Sequence, residues 1–249
     1  MPNTPTLVPD VTLTVPQPRV PLARRAAAEF VGTAALVAVV VGSGIQATSL
    51  SSDVGVQLLA NALASALGLG VLLFLLGPVS GAHLNPVVTL AEWWNVRHRR
   101  GHGVTTRDVG FYLAAQTSGA ISGAVLADAM FGREIAAWST QDKSAGHLLL
   151  AEVVATAGLV LLVLGLVRTD RLRYAPVVVS AYIGAAIWFT SSSSFANPAA
   201  TVGRSFSDSF AGIGPASVPG FVAAQCLGAV SGLALAALVF GRPAGPDRR

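Results

Sequence analysis

The chain is 249 residues long, 53% hydrophobic and only 11% charged, with a mean hydropathy of +0.63. Soluble domains carry roughly 25% charged residues, so this composition excludes a water-soluble globule, a disordered chain and a collagen-like fibre, and the single cysteine, Cys226, excludes a disulfide scaffold. A formal charge of +4 and a pI of about 10.0 would suit a nucleic-acid partner only if the basic residues clustered on one binding surface.

In chain order, residues 1–22 are rich in Pro, Thr and Val, without a charged start or an apolar run, and predict a flexible tail in place of a signal peptide. About 20 apolar residues suffice to cross a bilayer core. Six such spans are predicted, at roughly Ala26–Ala47, Gly55–Leu76, Val109–Met130, His147–Val167, Tyr174–Thr190 and Gly220–Phe240. Their Gly, Ala and Ser content suits helices that pack closely in lipid. The organisation expected is a first repeat over 23–130, an extracytoplasmic connector over 131–146, a second repeat over 147–241 and a tail over 242–249. The fold class is therefore an all-α membrane protein.

Six spans return both termini to one side. That side holds Arg19, Arg24, Arg25, Arg97, Arg99, Arg100, Arg107, Arg168, Arg171, Arg173, Arg242, Arg248 and Arg249, and the other only Arg133, Lys143 and Arg204. Thirteen basic residues against three predicts cytoplasmic termini in a multi-pass plasma-membrane protein. The high pI then needs no nucleic acid.

The two halves repeat one another. Ala28-Glu29-Phe30-Val31-Gly32-Thr33-Ala34 opens the first span, and Ala151-Glu152-Val153-Val154-Ala155-Thr156-Ala157 opens the fourth. Ala114-Ala115-Gln116-x-x-Gly119-Ala120-x-x-Gly123 in the third span is matched by Ala223-Ala224-Gln225-x-x-Gly228-Ala229-x-x-Gly232 in the sixth. Ala82-His83-Leu84-Asn85-Pro86-Val87-Val88-Thr89, between spans two and three, is echoed by Phe195-Ala196-Asn197-Pro198-Ala199-Ala200-Thr201 after span five. The offsets are 123 residues for the Glu pair, 112 for the Asn-Pro pair and 109 for the Gln pair. With three spans in each repeat, the second copy lies upside down, which places the working site near the midplane where the copies meet.

Asn is a good N-cap, and Pro is favoured at the first helical position. Asn85-Pro86 and Asn197-Pro198 therefore each predict the start of a short helix. The first runs about ten residues to Trp94, too short to span, and reads as a half-helix dipping in from the surface. Inversion brings two half-helices in from opposite faces, their N-termini meeting centrally, each carrying about half a positive charge. Irregular backbone at that depth must be buried in protein or line a watery cavity. The expected result is a pore whose positive helix ends and Asn amides repel cations, protons included.

Over roughly residues 24–241 the six spans, the inverted repeat and the paired boxes resemble the aquaporin (major intrinsic protein) family. The family's boxes are Asn-Pro-Ala; here the second is Asn197-Pro198-Ala199 and the first is Asn85-Pro86-Val87. The resemblance implies a homotetramer with one pore per subunit, passing small uncharged solutes down their gradient through surrounding lipid. Most members place an Arg directly after the second box, where this chain has Ala200. The family's spacing puts the other filter positions at Ser65, Ala185 (Gly184 if the register slips by one) and Ser194. All four are small, which implies a wide, weakly charged constriction open to glycerol, urea or a neutral metalloid hydroxide, with Ser65 and Ser194 as hydrogen-bonding partners. Val87 is expected to add bulk near the midplane. The run Thr190-Ser191-Ser192-Ser193-Ser194-Phe195 also resembles a bacterial branch linked with arsenite passage.

Arg204, one turn beyond Ala200, has two readings. Either it sets a positive charge at the outer mouth about 6 Å further out, or it snorkels to headgroups or pairs with Asp208. Intramembrane Glu29 and Glu152 are expensive and so need a role: support of the re-entrant loops, as the matching residues give in the family, or a proton-coupled site, which would make the protein a secondary transporter. His83 either pins its loop or titrates. Gln116 and Gln225 are expected to hydrogen-bond within the bundle. Trp93, Trp94 and Trp138 read as interface aromatics, Trp188 as lining the outer half of the pore, and Cys226 as a packed small hydrophobe. The sequence carries no Walker loop, metal-spaced His/Cys set or nucleophile–base pair, so neither an enzyme nor a cofactor is expected.

Overall fold

A computed structural model describes residues 20–96 and 103–241 of the chain. The basic cluster Arg97, Arg99 and Arg100, the tail over 242–249 and most of the predicted N-terminal tail lie outside the described residues.

Eight α-helices follow in order among the described residues: α1 (Leu22–Leu50), α2 (Val54–Ser80), α3 (Pro86–Val96), α4 (Thr106–Met130), α5 (Gly146–Arg168), α6 (Ala175–Phe189), α7 (Pro198–Arg204) and α8 (Val218–Phe240). Single 3-10 turns at Leu172–Tyr174 and Pro215–Ser217 lead into α6 and α8. Six segments are long and apolar enough to cross a membrane, and α3 and α7 are not among them. Large apolar side chains such as Leu67, Val71 and Phe74 on α2 and Val230 and Leu238 on α8 are exposed. A bundle with six such segments and an apolar exterior is an integral membrane protein.

Local chemistry sets the helix ends. Asp53 caps α2 by accepting from Val56 N at 3.0 Å, and Gly81 stops it in the left-handed region at φ 89°. Thr105 and Asp108 form a reciprocal capping box at the start of α4. Asp108 also pairs with Arg25, two hydrogen bonds of 3.0 and 3.1 Å joining the starts of α4 and α1. The first span thus begins four residues before its predicted edge, with Arg25 inside the helix.

The repeats are visible in the packing. A Cβ added to Gly123 or Gly232 would strike the carbonyl oxygen of Ala34 or Ala157, so small residues let α1 meet α4, and α5 meet α8, backbone to backbone. Each half-helix is then held by the spans of the other repeat. Ala199 of α7 shares a buried cluster with Val37 and Val41 of α1 and Ala120 and Ala124 of α4. Val87 and Ala91 of α3 share one with Val160 and Leu164 of α5 and Ala229 of α8. This exchange brings the two box regions together at the centre.

Candidate functional site

Each Asn-Pro pair starts a short helix. The Asn197 side-chain oxygen accepts from Ala199 N at 3.0 Å and Ala200 N at 3.2 Å, and Asn85 accepts from Val87 N at 3.1 Å. Pro86 and Pro198 occupy the first helical position, where no N–H is needed. The two amides then cross over. Asn85 Nδ2 donates to the Ala196 carbonyl at 2.8 Å, and Asn197 Nδ2 donates to the Leu84 carbonyl at 2.8 Å.

The loops before the boxes are held by one carboxylate each. Glu29 accepts from Ser80 Oγ (2.7 Å), His83 N (2.9 Å), Leu84 N (2.7 Å) and Gln116 Nε2 (2.8 Å). Glu152 accepts from Ser192 Oγ (2.7 Å), Phe195 N (2.8 Å), Ala196 N (2.8 Å) and Gln225 Nε2 (2.7 Å). Both carboxylates are fully buried, so the four donors offset the cost of desolvating the charge. Gln116 and Gln225 continue to Thr89 and Thr201, whose hydroxyls donate to the carbonyls of Asn85 and Asn197. Ala82, Leu84, Ser194 and Ala196 all have φ between 43° and 49°, backbone strain that these anchors hold in place. His83 adds a bond from Nδ1 to Thr89 Oγ1 at 3.0 Å and pairs through Nε2 with Glu92 at 2.5 Å. Its geometry is that of a loop-pinning residue.

A cavity of about 660 Å³ runs past these groups, from Asn95 and Val96 at the end that carries the termini to Gln141 and Lys143 at the far end. Asn85, Asn197, Ser65, Ser194, Ala200 and Arg204 all line it. The hydroxyl oxygens of Ser65 and Ser194 are buried and take no hydrogen-bond partner among the described residues. The rest of the wall is largely aliphatic, with Leu69, Leu159, Ile183 and Ile187 among its members.

Several sequence expectations are corrected, that for Cys226 among them, since it is exposed on α8 and not packed. Ala185 lies on the exposed face of α6 and does not line the cavity; Ile183 and Ile187, one turn apart, do. A side chain midway between two residues of one helix face points the other way. Gly184 is also off the wall, facing Ala66 at 3.2 Å from an added Cβ. Val87 is 1% exposed in the α3–α5–α8 cluster, so its bulk fills the core and not the passage. Trp188 is exposed on the outside of the bundle.

Arg204 is buried against the cavity, its guanidinium 3.3 Å from the Phe195 ring centroid and its Nε donating to the Ala211 carbonyl at 2.5 Å. Asp208 is engaged elsewhere, accepting from Thr140 N at 2.9 Å, while its carbonyl takes Arg133. Asn61 and Lys143 are among the lining residues that the sequence reading missed. Asn61, one turn before Ser65, donates to Val40 O and Ser43 Oγ along the same wall; the helical spacing from Ser65 was a usable signal. Lys143 reaches the cavity from a connector, where no local pattern announces it.

The arrangement defines a class: an inverted-repeat membrane protein with two half-helices abutting beside a continuous cavity. The chain matches the family described as Major intrinsic protein over residues 17–194. It is 46% identical over 214 residues to aquaglyceroporin AqpS of Rhizobium meliloti (strain 1021), covering 86% of this chain and 89% of that protein. It is 30% identical over 219 residues to the probable aquaporin AqpM of Archaeoglobus fulgidus, covering 77% of this chain and 86% of that protein. In fold it is similar to the aquaglyceroporin from Plasmodium falciparum, with a TM-score of 0.63, 21% identity, and coverage of 88% of this chain and 97% of the other. The protein is a member of the major intrinsic protein family.

Proposed function

We propose that this protein is a passive channel for small uncharged solutes, with glycerol, urea and neutral metalloid hydroxides such as arsenous acid, along with water, as the guests. The observation that carries the reading is the composition of the cavity wall. The hydroxyls of Ser65 and Ser194, unpaired among the described residues, and the amides of Asn85 and Asn197 stand beside a largely aliphatic stretch of the passage. A polyol exchanges water for those groups and lays its carbon backbone on the apolar side, whereas a small ion stripped of water loses far more than the wall returns. Ser65, Ser194, Ala200 and the Ile187 side chain set the aperture, and Arg204 stands at the outer mouth.

The 46% identical relative named an aquaglyceroporin supports a glycerol-sized guest. Ala200 in place of a filter cation supports the neutral metalloid hydroxides. The charge tally supports cytoplasmic termini in a plasma membrane, and the exposed apolar flanks together with the family support a homotetramer with one pore per subunit. No coupling site is needed: Glu29 and Glu152 are each committed to four donors, which leaves neither poised to carry a proton. The test is swelling of proteoliposomes over a graded solute series. Water, glycerol, urea and arsenous acid are expected to enter and hexitols to be excluded; a preparation that passes water alone contradicts the proposed aperture.

A further inference from the structure

The far end of the cavity is cationic. Lys143, on the connector between α4 and α5, sets its Nζ 5.7 Å from the Phe195 ring centroid, and Arg204, ending α7, sets its guanidinium 3.3 Å from the same centroid. Both line the cavity, and neither enters an ion pair among the described residues. The Glu152 carboxylate behind Phe195 is fully engaged by Ser192, Phe195, Ala196 and Gln225. Asp142, next to Lys143, turns to Ser144 and Ser217. Two partly desolvated like charges on one aromatic ring repel each other, and burial together with Arg204 makes the Lys143 ammonium easier to deprotonate than an ordinary lysine.

We propose that Lys143 and Arg204 form a binding site for a small doubly charged oxyanion, which seats in the outer vestibule and obstructs the path of neutral solutes. The guanidinium offers a planar fork and the ammonium a point charge, so a tetrahedral dianion spans both. The half-helix N-termini lie deeper in the same cavity, past Ala200 and Ile187, where an oxyanion would have to shed its water. The ligand therefore binds from outside and returns the same way.

The site does not depend on which neutral solute the cavity passes, and binding is read without flux. Sodium sulfate titrated calorimetrically into the detergent-solubilised full chain at low salt should give saturable binding, tighter than sodium chloride. K143Q should weaken sulfate binding by about tenfold, the loss of one charge-assisted hydrogen bond, and K143R, which keeps the charge, should retain it to within about threefold. External sulfate should also slow glycerol entry into proteoliposomes of the unaltered protein more than of K143Q. Absence of saturable sulfate binding, or equal affinity in K143Q, overturns the proposal.

Discussion

Asn85 and Asn197 hold each other's loops: each donates to the carbonyl of the residue just before the other, at 2.8 Å in both directions. Each amide is thereby aimed by the opposite repeat, so the two halves cannot separate without unmaking both boxes. N85A and N197A should each lower stability by about 2 kcal/mol, through a buried carbonyl left unpaired and a lost helix cap. The double variant should cost less than the sum, since the second change removes a partner already displaced. Thermal unfolding in detergent measures both effects.

Glu29 and Glu152 supply the anchors beneath that crossing. E29Q or E152Q turns one acceptor into a donor facing other donors and should cost about 1.5–3 kcal/mol. Solute flux per folded protein should stay independent of an imposed pH gradient in the unaltered chain and in both variants. A gradient-driven uptake that either variant abolishes would instead support proton coupling.

Much of this architecture was legible in the sequence because lipid imposes a simple pattern. The six spans, the Glu, Asn-Pro and Gln repeats and the length of α3 follow from hydropathy, spacing and cap chemistry. What failed was direction around a helix axis. One residue is about 100° of rotation, so a count carried back across the Thr190–Phe195 loop fixed the depth of the α6 position but not its facing, and chose Ala185 over Ile187. Val87 was misjudged for a related reason: its orientation is set by α5 and α8, which are distant in sequence. Lys143 was invisible because only tertiary packing brings its connector to Phe195.

The corrected register has a direct consequence. I187W should obstruct glycerol entry by more than tenfold, while A185W, on the outer face of α6, should leave flux per folded protein within about twofold, since only the first places bulk in the passage. A200R should reduce entry of glycerol and larger solutes while sparing water. Stopped-flow light scattering compares all three.

Lys143 lies outside the spans, and its pKa is lowered by burial and by Arg204, against a weaker opposing pull from Glu152. Between that lowered value and the ordinary lysine value of about 10.4 the unfolded chain binds more protons than the folded one. Stability therefore rises with pH across that window. K143M should flatten the rise and increase the unfolding temperature at neutral pH. Sulfate affinity should fall over the same window as the ammonium is lost, which calorimetry at stepped pH records.

The central measurement is simultaneous recording of glycerol efflux and internal pH in proteoliposomes carrying a membrane potential and a pH gradient. A passive channel gives glycerol flux that is linear in its own gradient, unchanged when either driving force is collapsed, and unaccompanied by any protein-dependent proton or ion current. Saturating efflux that moves protons with it would contradict the claim that this passage admits only uncharged guests.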